Sequence, residues 1–341
     1  MRVGFLVNYR RSHLTIQALR AARALRRKGA CVEVRSVHPA RLPVDPDFDR
    51  VVTHAHACPV DKWLDGVDAV VSFELPDPAH FARAVHRRKK VVQVLHWDQA
   101  STAMRDLCRN SHVVVCPVSQ CADLAAARWD LRNVRYVPTD PGDLVLSKKE
   151  PAGDASTAAV ILDSPTRPQV GDCLIGILRT RPEIRFTVIY RRRAMTCDLY
   201  RPLREMERTG RIRLVDDRTL THERWLAEVN DHDLAVWPAL WDGSAGSALS
   251  ALAAGVPVVA YDNSPQNEFL VDGKNSRLAE CDLQFDWFEV PRVLTRPGRL
   301  AAAFDAACRH KELTRLTPWA ADKAYEMHWA SQYGWCDLFG V

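Results

Sequence analysis

The residues best placed to do chemistry sit between Asp233 and Leu278, in DLAVWPALWDGSAGSALSALAAGVPVVAYDNSPQNEFLVDGKNSRL. The apolar run Leu234 to Trp237 reads as a strand. A glycine- and serine-rich turn follows, Asp242, Gly243, Ser244, Ala245, Gly246 and Ser247. The spacing predicts a small-residue helix over about Ser247 to Ala254 carrying Ser250, stopped by Gly255. Val256 to Tyr261 is a second buried strand, and a polar loop then carries Glu268. A helix that starts at the carboxyl end of a strand points free N–H groups and a positive dipole end at that edge. Such a place suits a phosphate or a sugar hydroxyl, although an ordinary βαβ turn without a ligand has the same pattern.

A second candidate is His96, at the end of the apolar run Val91 to Leu95. Its imidazole can donate to or accept from a ligand, or be satisfied by Asp98 or main chain. His54 and His56 share a face but have no carboxylate at metal-site spacing. Asp216 and Asp217 are adjacent rather than alternating, so no divalent-ion motif is expected. Asn8, Arg10, Arg11 and His13 fall in the loop after the first strand, where they can meet a ligand or simply be solvated.

The order Trp237-Pro238, Asp242-Gly243, Ala253-Ala254-Gly255-Val256-Pro257-Val258-Val259, Pro265-Gln266-Asn267-Glu268 and Val271-Asp272-Gly273-Lys274-Asn275 resembles the signature region of family 4 glycosyltransferases of GT-B architecture. VVQVLHWD resembles that family's strand ending beside the sugar-transfer site. The chain departs from the pattern at three places. Asp242 stands for a glutamate, Ser250 for the glutamate that holds the nucleotide ribose, and Val170 for a lysine that faces the donor diphosphate.

That resemblance implies an α/β fold of GT-B type, two Rossmann-like domains facing a cleft, with a C-terminal helix returning to the first. It implies a metal-independent glycosyltransferase acting with retention on a nucleotide sugar, UDP- or GDP-linked, with no other cofactor. His96, Asp242 and Glu268 would be catalytic. Arg167, Asp216, Asp217, Gly243, Ser244, Ala245, Gly246, Ser247 and Ser250 would bind the donor. Asn8, Arg10, Arg11 and His13 would meet the acceptor. Two alternatives are a phage-type glycosyltransferase acting on a modified DNA base, and an inactive GT-B-like binding protein suggested by Ser250 and Val170.

The elements that must position these residues alternate strand and helix along the whole chain. The N-terminal domain is expected over residues 1–146, completed by about 318–341. SKKEPAGDAST supplies a linker over 147–157, and the second domain spans 158–317. No G-x-G-x-x-G fingerprint argues for NAD or FAD. Ser119 is expected to cap a helix over Cys121 to Trp129. Helices are also expected over Arg299 to Cys308 and Trp319 to Trp329, and the aromatics Trp319, Tyr325, Trp329, Tyr333, Trp335 and Phe339 read as packing residues.

At 341 residues the chain can bury a large core, and its ten cysteines show no C-x-x-C spacing, which fits a reduced, cytoplasmic protein without a disulfide framework. No apolar run is long enough to span a membrane. Residues 1–150 hold 24 Lys+Arg against 16 Asp+Glu, a balance of +8, while the remainder balances at −3. The basic excess reads either as solvated helix ends or as a surface for an anionic acceptor, a nucleic acid or anionic lipid.

Overall fold

The computed structural model describes the chain outside residues 8–12, 37–52, 55–58, 74–77, 98–99, 143–145, 147–149, 164–173, 179–180, 192–196, 240–242, 244–245, 286–290 and 295–296. Two compact units emerge, Met1–Asp140 with Met327–Val341, and Pro141–Glu326.

Unit 1 is built on seven parallel strands: β1 (Arg2–Val7), β2 (Cys31–Ser36), β3 (Thr53–His54), β4 (Ala69–Ser72), β5 (Lys90–Val94), β6 (Val113–Cys116) and β7 (Val134–Tyr136). Their order is β3-β2-β1-β4-β5-β6-β7, a sheet wound outward in both directions from β1 and β4. The helices are α1 (His13–Arg27), α2 (Val60–Asp65), α3 (Pro78–His86), α4 (Thr102–Arg109) and α5 (Ser119–Trp129). Because helices cover both faces, β1 is apolar in every residue after Arg2. Phe5 and Val7 belong to one core with Leu19, Ala22, Phe73, Trp335 and Phe339. Leu6 joins the opposite core with Trp63, Leu64 and Phe81. Gly4 is there because Trp63 fills the space a Cβ would take.

Gly29, at φ +87°, ends α1 with paired bonds from Ala30 N to Leu25 O and from Gly29 N to Arg26 O. This is the left-handed stop for which glycine carries no Cβ penalty. Ser119 is not the cap of α5. It is the first helical residue, and Val118 occupies the cap position with no side-chain cap bond.

Unit 2 repeats the plan with β8 (Thr157–Leu162), β9 (Arg185–Tyr190), β10 (Ile212–Asp216), β11 (Leu234–Trp237), β12 (Val258–Tyr261) and β13 (Ser276–Ala279), ordered β10-β9-β8-β11-β12-β13. Its helices are α6 (Cys197–Arg208), α7 (His222–Asn230), α8 (Gly246–Ala253) and α9 (Pro297–Ala307). Thr221 caps α7 by accepting from Arg224 N. A small antiparallel pair, β14 (Asp282–Phe285) with β15 (Pro291–Leu294), follows β13. The core gathers Phe186, Val188, Val236, Tyr261, Leu300 and Phe304.

The last helix, α10, corrects two expectations. It runs unbroken for 30 residues, His310–Phe339, through Pro318. Proline removes one backbone donor, and the exposed position of Pro318 leaves the freed carbonyl open to water. Its aromatics do not all pack inward. Trp335 and Phe339 are buried, but Trp319, Tyr325, Trp329 and Tyr333 are exposed. No helix among the described residues is long and apolar enough to cross a membrane.

Candidate donor-binding edge

In unit 2 the strand order reverses between β8 and β11, and a doubly wound sheet binds ligands at the carboxyl ends of strands on either side of such a switch. The residues that end those strands are largely buried and tied to one another. Asp163, just past β8, accepts from the indole N–H of Trp237 at the end of β11, at 3.2 Å. Arg191, just past β9, donates through Nε to Asp217 at 2.8 Å and through its backbone N–H to Leu162 O. Its guanidinium charge is therefore matched by a carboxylate beside Asp216, which ends β10. Arg191 is itself buried.

Helix α8 starts at this edge, behind the buried Gly243, and every residue of it is buried. Six of its eight residues are Gly, Ser or Ala, with Leu249 and Leu252 as the larger buried side chains. Gly255, at φ +73°, stops it as Gly29 stops α1, with Val256 N bonded to Ala251 O and Gly255 N to Leu252 O. Ser247 is 1% exposed. Ser250 is 6% exposed, and its hydroxyl donates back to Gly246 O at 2.8 Å. The hydroxyl standing where a ribose-binding glutamate was expected thus spends its proton inside the helix.

Glu268 is half-buried in the short 3-10 turn Gln266–Glu268, which follows the cis Ser264–Pro265 peptide. Two buried amides hold that turn. Gln266 donates to Tyr261 O at 2.9 Å. Asn275 accepts from Val271 N at 2.8 Å and donates to Phe269 O at 2.9 Å. Asp272 accepts from Leu278 N at 2.8 Å. The Asp-Gly-Lys-Asn segment therefore acts as a clasp behind Glu268. Gln266 and Asn275 stood in the sequence only as members of the motifs quoted above, because nothing local marks a polar side chain for burial.

Unit 1 holds His96, two residues past β5 and 2% exposed. The backbone around it is anchored by Leu95 N to Val115 O at 2.8 Å and by the Cys121 thiol to Leu95 O at 3.3 Å. Trp97 lies against Trp129, their rings 4.8 Å apart. Asn8, Arg10, Arg11, Arg167, Asp242, Ser244 and Ala245 lie outside the described residues, as does the side chain of His13.

Comparison with solved structures places the architecture. HepE of Anabaena, solved with UDP and glucose, aligns over 100% of both chains at TM-score 0.73 and 14% identity. Sucrose-phosphate synthase of Thermosynechococcus elongatus aligns over 99% of this chain and 98% of its own, at 0.72 and 12%. A glycosyltransferase of Rickettsia africae aligns over 99% and 97%, at 0.70 and 10%. The fold is that of the GT-B glycosyltransferases. At these identities the likeness concerns fold. No protein-family model matches the chain, and no curated protein matches it.

Proposed function

We infer that the chain is a glycosyltransferase that takes its sugar from a nucleotide donor held at the carboxyl edge of unit 2. The observation that carries this reading is the start of α8, shortly after Gly243, at the switch point of the unit 2 sheet, in a fold shared over its full length with a protein solved with UDP and glucose. The N–H groups that open α8 would face the diphosphate and stabilise the charge it gains as the sugar leaves. Transfer breaks the bond between the anomeric carbon and the phosphate oxygen and forms one to an acceptor oxygen. The proton of the acceptor hydroxyl leaves with the phosphate or to solvent. His96, Asp242 and Glu268 would each act on the donor sugar, and Arg167 would add charge at the diphosphate. Asp216 and Asp217 would lie toward the nucleoside. Family 4 membership, retention, metal independence, a UDP or GDP carrier, a cytoplasmic setting and the acceptor-side roles of Asn8, Arg10, Arg11 and His13 complete the reading.

A melting-temperature screen with UDP-, GDP-, ADP- and dTDP-sugars tests donor binding, since a ligand that binds only the folded state must raise the transition. Mass-spectrometric detection of transfer then tests catalysis. His96→Ala and Glu268→Ala should each lower transfer at least about a hundredfold while the fold melts as before. Full activity in both would remove the assignment. The commitment of the Ser250 hydroxyl to Gly246 O favours one second reading, a GT-B-like binding protein without donor chemistry. No shift with any of the four donor classes would select it.

A further inference from the structure

We propose that Trp329, Tyr333 and Asp337, on successive turns of the α10 segment in unit 1, form a binding surface for a neutral saccharide chain. Trp329 is 42% and Tyr333 63% exposed, and Asp337 is exposed beside them. Residues four apart share one helix face, about 6 Å apart along the axis. The two rings meet that expectation, with centroids 5.9 Å apart and planes 32° from each other, a shallow trough of two aromatic faces. Ring faces of this kind take the apolar C–H faces of pyranose rings, and a carboxylate next in line accepts from hydroxyls.

The base under this surface is rigid. His328 and Gln332, which alternate with the two aromatics, each donate to the Asp140 carboxylate at 2.9 Å. His328 also meets Trp329 edge to face at 5.5 Å. Gly334 lies so close to Val137 that a Cβ would sit 2.9 Å from its Cγ1. Side chains held on a fixed backbone lose little freedom when a ligand arrives.

Charge and area choose the occupant. Met327–Val341 contains no lysine or arginine, and His328, its one histidine, is buried against Asp140. The segment's own exposed ionised side chain is the Asp337 carboxylate, which disfavours phospholipid headgroups and nucleic acid, while Lys90, which reaches the segment from β5, is engaged with Leu338 O and the Phe339 ring. The two rings together present roughly 200 Å². Doubled across a two-fold axis that is about 400 Å², well below the roughly 1,000 Å² of a stable protein interface. One or two sugar rings need no more.

The test is saturation-transfer NMR on the full chain with maltohexaose, cellohexaose and chitohexaose, followed by titration of whichever binds. It reads binding, so its outcome is independent of donor chemistry. A dissociation constant on the order of a millimolar is expected. Trp329→Ala and Tyr333→Ala should each weaken binding about tenfold, Tyr333→Phe should retain it, and all three should melt like the parent. Tyr333 is the more exposed of the pair, so Tyr333→Ala decides the matter if Trp329→Ala folds poorly. The proposal fails if no neutral chain binds, or if binding survives both alanine variants. It also fails if the variants instead abolish binding to phosphatidylglycerol vesicles, or convert a dimer to a monomer.

Discussion

Ser250 shows how burial decides what a side chain is for. Its spacing from Gly243 places it where a donor-binding side chain was expected, yet its hydroxyl is turned onto the Gly246 carbonyl inside a wholly buried helix. Ser250→Ala should change stability by less than about 1 kcal/mol, because a back-bonded hydroxyl within a helix contributes little. It should also leave any donor-induced melting shift unchanged. Loss of that shift would restore Ser250 to the ribose. Asp233 is the opposite case, a residue with no signature that does measurable work. Burial alone would raise its carboxyl pKa, but the Ser156 and Thr157 backbone and hydroxyl groups donate to it at 2.9 to 3.2 Å and together hold it below its ordinary 3.8. A pKa lowered by folding stabilises the protein fully above the unfolded value, and that gain is lost as pH falls through the folded value. The difference in urea midpoint between the parent and Asp233→Asn should therefore be constant near about pH 7 and shrink below about pH 4. A constant gap down to about pH 3 would contradict the assignment.

At the scale of elements, the strands were the easiest to read. The apolar runs Val91 to Leu95 and Leu234 to Trp237 marked β5 and β11 to within a residue, because a strand covered on both faces is largely apolar along its length. The helix end marked by Gly255 was equally legible, since few residues but glycine take a positive φ there. The last helix was expected from Trp319 but starts at His310 and runs through Pro318. Least visible was the Asp140 knot. Asp140 sits in a turn-like Thr-Asp-Pro-Gly, but its carboxylate accepts from His328 and Gln332, 188 and 192 residues away, and its carbonyl from Gln17 and Arg20. No local pattern encodes a partner at that separation. Asp140→Ala leaves two buried donors without an acceptor and should cost about 3 kcal/mol in urea unfolding, with Asp140→Asn intermediate. A loss under about 0.5 kcal/mol would show that the knot adds little.

For the molecule as a whole, burial governs the chemistry of the described thiols. Burial pushes the Cys108 and Cys308 thiols up to about 12 and Cys281 to about 11, so they remain protonated near neutral pH. Iodoacetamide should label these three slowly in the native protein and quickly in urea, read by peptide mass spectrometry. Fast native labelling would show that they are not held as described. The two-domain α/β architecture was readable because the strand–helix alternation restarts after residue 157. The aromatics of α10 were not, since a ring that faces water and a ring that faces the core look alike in a sequence.

One property of the two units bears on how the chain is made. Unit 2, Pro141–Glu326, is a single unbroken stretch, whereas unit 1 is closed only by Met327–Val341, which brings Trp335 and Phe339 to its core and His328 to Asp140. During synthesis the first 140 residues leave the ribosome before that last helical segment has been made, with the whole of unit 2 in between. Unit 2 can therefore fold while unit 1 still holds an open seam, which closes only when Met327–Val341 arrives.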